Sequence, residues 1–216
     1  MIAILYYLLY MLQNIAVLKT ESPNCLVCLL AKSRAFFGLD IGTKSDDLLL
    51  RASSILEAMS LLGEEEKSFA SNFLYFSAGI WPDVQSIKDR NACLSTLRSQ
   101  IEAFRKSGNP FCKKLVAIGE GGLDHHWNPA GVDGRCKEDF DANLYEGERE
   151  LFMMQLSLAK EEDLPFIVHS REAFADTLDC IRLSGYNRGI IHCFSYGIEE
   201  ARAFLDLGWY LAFGGA

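Results

Sequence analysis

The chain has 216 residues, of which 50% are hydrophobic, 12% aromatic and 23% charged. That composition fits one globular domain, or a large part of one, and excludes a disordered or collagen-like chain. Lys and Arg total 21 against 29 Asp and Glu, a net charge of −8, which argues against gripping a nucleic-acid backbone by whole-molecule charge. A local site in which a metal ion supplies the positive charge stays open.

Met1 to Leu12 is an unbroken apolar run. No Lys or Arg precedes Lys19, which disfavours a signal peptide, and the run is well short of the roughly 20 residues a spanning helix needs. Residues 1–20 read as an apolar leader or buried segment, with a membrane anchor the lesser alternative, and 21–216 as a single domain. The 7 cysteines are odd in number and several sit in apolar runs, against a secreted disulfide framework. Cys25-Leu-Val-Cys28 is a lone C-x-x-C and reads as two half-buried thiols. The expected compartment is the cytoplasm, with the nucleus as the alternative.

From Phe36 onward strand and helix signals alternate. Phe36 to Ile41 is a short apolar strand ending at Gly42-Thr43. Ser45-Asp46-Asp47 offers a cap for a helix carrying Leu48, Ala52, Ile55, Met59 and Leu62 at helical spacing. Phe73 to Ile80 is an apolar and aromatic strand that stops at Trp81-Pro82. A helix after Asp83 aligns Ile87, Leu94, Leu97, Ile101 and Phe104, and stops at Gly108-Asn109-Pro110. Leu115 to Ile118 is the next strand, followed by Gly119-Glu120-Gly121-Gly122.

A polar loop from about Asn128 to Glu146 leads into a helix with Leu151, Met154, Leu158 and Ala159. Pro165 to Val168 is a strand ending at His169. A helix bearing Phe174, Leu178 and Ile181 closes at Gly185. Gly189 to Ile191 is a strand ending at His192. A helix with Ala201, Phe204 and Leu205 closes at Gly208, and Trp209 to Phe213 is the last strand. This alternation is the pattern of a parallel α/β protein, open or closed, whose strands are covered on both faces.

The polar residues fall at telling places. Glu120, His169 and His192 each lie at or just past the C-terminal end of a predicted strand, the edge where α/β folds build their sites. A carboxylate and two imidazoles meeting there match a metal half-site. A hydrogen-bonded strand-end residue explains any one of these histidines alone; three equivalent positions favour a metal. Cys193 and Ser195 are poor nucleophile candidates, because neighbours on a strand point to opposite faces. No Walker motif or G-x-G-x-x-G is present.

Val116-Ala-Ile-Gly-Glu-Gly-Gly-Leu-Asp124 resembles the V-G-E-I-G-L-D segment of the TatD-type metal-dependent deoxyribonucleases. Leu164-Pro-Phe-Ile-Val-His-Ser-Arg171 resembles that family's L-P-V-I-I-H-S-R strand. Ile190-Ile-His-Cys-Phe-Ser195 with Glu199-Glu200-Ala201 resembles its I-H-C-F-S…E-E-A segment. Ser77-Ala-Gly-Ile-Trp-Pro82 is similar to its G-x-H-P element, with Trp81 where His is usual.

The resemblance implies a TIM-type (β/α)8 barrel, incomplete and ending at about strand seven, since a complete barrel typically needs about 250 residues. It implies one or two divalent ions (Mg, Mn or Zn) that activate water to hydrolyse a phosphodiester, with DNA the expected substrate and no stable protein partner. Glu120 corresponds to the carboxylate between the ions and is the expected catalytic residue; Glu120, His169 and His192 are the expected metal ligands. Asp124, His126 and Arg171 are expected to line the substrate site, and His125 to be a bystander.

Two departures stand out. The family's first-strand H-x-H has no counterpart, because no His precedes His125, and the strand-eight T-D-x-P element is absent. The resemblance therefore implies ligands for one ion but not the other, and no general base. A catalytically inactive, truncated member with at most one metal is the competing expectation. An open barrel would also expose two sheet edges.

Overall fold

Successive parallel strands laid side by side, each returning through a helix, bring all their C-terminal ends to one rim. The computed structural model describes residues 38–126 and 142–214. The apolar run at residues 1–20, Cys25, Cys28 and most of the expected 128–146 loop lie outside them.

Six strands form one parallel sheet in sequence order: β1 (Gly38–Asp40), β2 (Leu74–Ala78), β3 (Leu115–Asp124), β4 (Phe166–Arg171), β5 (Gly189–Ile191) and β6 (Tyr210–Leu211). The described helices are α1 (Leu48–Ser60), α2 (Glu64–Phe73), α3 (Val84–Lys88), α4 (Arg90–Lys106), α5 (Ala142–Glu161), α6 (Phe174–Ser184) and α7 (Ile198–Asp206). The described strands curl into an incomplete barrel with helices on the outer face, as the family resemblance implies.

Two apolar clusters follow from the two faces of the strands. The large one packs Phe76, Ile118, Phe166, Val168 and Ile191 beneath helix residues such as Ala52, Ile55, Leu97, Phe104, Phe152 and Phe204. The small one gathers Leu39, Ile41, Ala117 and Ile167, with Ile190 against them, on the opposite face. Side chains two apart on a strand share a face. Ile167 and Ile190 therefore place His169 and His192 on the side of the small inner cluster.

Several element boundaries differ from the sequence reading, each for a physical reason. Asp47 occupies the N-cap position of α1, but its side chain makes no capping bond; its carboxylate lies 2.9 Å from Nε of Arg51, an i,i+4 ion pair. Helix α2 was not expected: its sequence is polar, and only Phe69, Ala70 and Phe73 mark an inward face. The helix predicted after Asp83 is two. Asp83 caps α3 by accepting the Ser86 N–H at 3.0 Å, and α4 begins only after Asp89.

Strand β3 runs six residues beyond Ile118, to Asp124. It bulges on the way: Ile118 pairs with Phe166 and Gly121 with Val168, three steps on β3 against two on β4. Glu120 lies within that bulge.

Past the end of β2 the chain has no ladder partner, and a side chain replaces one. Gln155 of α5, fully buried, accepts the Ile80 N–H at 2.8 Å and donates to the Ile80 carbonyl at 3.0 Å. Gln155→Leu would leave both backbone groups buried and unpaired, at ~1–3 kcal/mol each. Urea unfolding of that variant is expected to show a loss of roughly 2–5 kcal/mol with an unchanged m-value.

Candidate functional site

The C-terminal rim holds the expected residues. His169 near the end of β4 sits beside Gly122 of β3 in register, and its Nδ1 is 2.8 Å from Oε1 of Glu120. Its Nε2 is 2.9 Å from Oδ2 of Asp124. His192, one residue past β5, is fixed by its N–H donating to the Val168 carbonyl at 2.9 Å. Its Nε2 stands 3.6 Å from the other carboxylate oxygen of Glu120. The bulge of β3, the last half of β4 and the residue after β5 thus bring one carboxylate and two imidazoles together.

Charge in this cluster is set by burial and by mutual contact. Burial alone would raise the Glu120 carboxyl; the hydrogen bond from His169 and the charges of the two histidines outweigh it and hold the group below its ordinary value. Burial pushes the His169 imidazole down, but hydrogen bonds to Asp124 and Glu120 lift it to about 9. His192 is pushed down by burial and by the neighbouring His169 charge, against the pull of Glu120. These directions make His169 the ring that carries charge, hydrogen-bonded to Glu120 and Asp124, and His192 the ring that gives it up more readily.

Asp124 is almost wholly buried. Besides His169, its carboxylate accepts the His126 N–H at 2.9 Å, and its own N–H donates to Oε1 of Glu148 at 2.7 Å. His126 stands further out, its Nδ1 2.7 Å from the exposed Glu172 carboxylate. Arg171 is exposed at the end of β4, opposite Asp124 in register, and its carbonyl accepts the His125 N–H at 2.9 Å. His125 turns to Glu148, 3.5 Å away, and meets the Tyr145 ring edge-on. The indole of Trp81 meets the His169 ring edge-on at 5.6 Å between centroids. The Cys193 thiol, exposed and pushed up to about 11 by burial of its sulfur environment, stays protonated at neutral pH.

The residues fit a divalent ion in kind, being a carboxylate and two imidazoles of which His192 is neutral. They do not stand as a ready cage: among the described residues no three His, Cys, Asp or Glu side chains are arranged to hold an ion. The reason is visible in His169, whose ring nitrogens are both engaged by carboxylates.

Comparison with known proteins gives the cluster a lineage. Residues 42–216 match the family described as TatD related DNase. The chain belongs to that family. It is 32% identical over 164 residues to a Bacillus subtilis protein named uncharacterized metal-dependent hydrolase YabD, covering 75% of this chain and 53% of that one. A Mycobacterium tuberculosis protein, named uncharacterized metal-dependent hydrolase TatD, is 38% identical over 103 residues, 47% of this chain and 36% of its own. This TatD-family chain therefore spans about half, or less, of the length of these curated relatives.

Solved structures of the same kind share the fold. The Escherichia coli TatD homologue YjjV superposes with a TM-score of 0.53 at 22% identity, covering 82% of this chain and 55% of that one. A TatD family hydrolase from Entamoeba histolytica gives 0.54 at 24% identity, covering 82% and 50%.

Sequence reasoning missed Glu148 and Gln155, the two buried polar residues of α5 that support the rim. They lie seven residues apart among Leu144, Leu151 and Phe152, on the helix face that packs inward. Polar residues at apolar spacing were the available signal.

Removing His169 would leave two buried carboxylates facing each other. His169→Ala in chelator at neutral pH is expected to lose about 3 kcal/mol or more in urea unfolding, the range for breaking a buried ion pair. His192→Ala, which removes a neutral ring, is expected to lose less, about 1–2 kcal/mol.

Proposed function

We propose that this chain carries a divalent-ion hydrolase centre built on Glu120, His169 and His192, acting on phosphodiesters, with DNA the substrate class. One observation carries the reading: the Glu120 carboxylate lies 2.8 Å from His169 and 3.6 Å from His192, on the shared rim side of three adjacent strands. Family membership supports it, and the relatives named metal-dependent hydrolases support the ion. A bound divalent cation would supply an acidified water and positive charge against a phosphate oxygen.

The chain's own residues do the rest. Glu120 contributes the carboxylate and takes no proton at neutral pH. Asp124 holds His169 by Nε2, which aims Nδ1 at the centre, the familiar carboxylate support of a ligating imidazole. His192 is kept neutral, with its Nε2 turned toward the Glu120 carboxylate. Arg171 and His126, toward the outer rim, are the groups we assign to a phosphate arriving from solvent, His126 after releasing Glu172.

A second reading, an inactive family member that keeps the fold, has one observation in its favour. His169 is locked between two carboxylates, so an ion must displace a proton and a hydrogen bond to enter.

Calorimetric titration of the full chain with Mn²⁺, after chelator treatment, is expected to give one site, lost in Glu120→Gln and weakened ~10–100-fold in Asp124→Asn. A labelled single-stranded oligodeoxynucleotide is expected to be cleaved in Mn²⁺ or Mg²⁺, and not by Glu120→Gln. Ion binding without cleavage would establish the inactive reading. Equal cleavage by both proteins would remove Glu120 from the site.

A further inference from the structure

Glu120 sits where β3 bulges, so its backbone leaves the sheet ladder. Its N–H is nonetheless satisfied: it donates to the carbonyl of Gly42 at 2.8 Å. Gly42 lies just beyond the end of β1, and β2 runs between β1 and β3. The bond therefore passes over the end of β2. The chain there comes very close, since a Cβ at Gly79 would stand 2.4 Å from Gly119 Cα.

What presents Gly42 to Glu120 is a side chain outside the strands. Arg51 of α1 is largely buried and reaches under the rim. Its Nη1 bonds the Asp40 carbonyl at 3.3 Å and pairs with the Asp40 carboxylate; its Nη2 donates to the Ser77 carbonyl at 2.7 Å. Ser77 in turn accepts the Gly42 N–H on its hydroxyl at 3.1 Å. One guanidinium thus ties the ends of β1 and β2 together with Gly42 packed against it. A Cβ on Gly42 would lie 2.6 Å from Nη2 of Arg51 and 2.8 Å from the Ser77 carbonyl, so residue 42 must be glycine for the guanidinium to fit.

From this chain of contacts we infer that Arg51 is a positioning residue for Glu120, acting through Asp40, Ser77 and Gly42 to fix the backbone from which the carboxylate reaches the two histidines. The inference takes Glu120 as the centre's carboxylate, as in the proposed function. A planar fork with several fixed donors is required, because a lysine ammonium cannot serve the Asp40 carboxylate, the Asp40 carbonyl and the Ser77 carbonyl in that geometry.

The direct readout is the backbone amide of Glu120 in the full chain without added metal, followed by NMR hydrogen exchange. Ile118, whose N–H bonds the Pro165 carbonyl at 2.9 Å in the same strand, is the internal control. In Arg51→Lys the Glu120 amide is expected to exchange about tenfold faster, the protection one buried hydrogen bond provides, with Ile118 unchanged. Ser77→Ala, which keeps Arg51 but removes the Gly42 tether, is expected to move the same amide in the same direction. Mn²⁺ affinity should fall in both.

Glu120 protection equal to wild type in either folded variant would overturn the inference. So would equal acceleration at Glu120 and Ile118, which reports global loosening alone. If Arg51→Lys does not fold, Ser77→Ala decides by the same criterion. Failure of every protein to bind Mn²⁺ would instead strike the proposed function, leaving the amide result intact.

Discussion

A carboxylate as deeply buried as Glu120 is tolerated only if positive charge and hydrogen bonds replace the water it has lost. His169 provides both, and the rim is organised around that need. Asp124 lies on the far side of the imidazole, Glu148 satisfies the Asp124 backbone, and His192 closes the remaining side of Glu120. Each partner comes from a different element, so the cluster exists only when β3, β4, β5 and α5 are packed together. The electrostatics of the centre and the curl of the sheet are one constraint.

The same arrangement explains why the centre reads as closed. Hydrogen bonds of 2.8 and 2.9 Å hold His169 between its two carboxylates. A positively charged ring there balances the two acidic side chains it touches. Family membership rests on the sequence match. The chemistry rests on these few side chains.

Much of this was legible in the sequence. Apolar runs leading to Glu120, His169 and His192 marked three neighbouring strands, although β3 and β4 continue past the first two. The two-residue period that turns Ile167 and Ile190 to the inner face carries both histidines there. Alternation gave a parallel sheet but left it open or closed, and the sequential strand order agrees with the barrel that the family resemblance implied. What was not legible depended on tertiary contacts. The bulge at Glu120 needs β4's register to be seen. The side chain of Asp47 looked like a cap, and is drawn off by Arg51. The break at Asp89 lies inside one continuous apolar stripe, and α2 is too polar to announce itself. Arg51 and Gln155 do their work on backbone groups, and no pattern of residue types records which carbonyl a side chain will reach.

The indole of Trp81 lies edge-on against the His169 ring, while Trp209, on the sheet's outer side, is buried in the main core. An imidazolium drains the excited state of a neighbouring indole far more than a neutral ring does. Light emitted by Trp81 would therefore change with what His169 carries, an optical gauge that needs no attached dye.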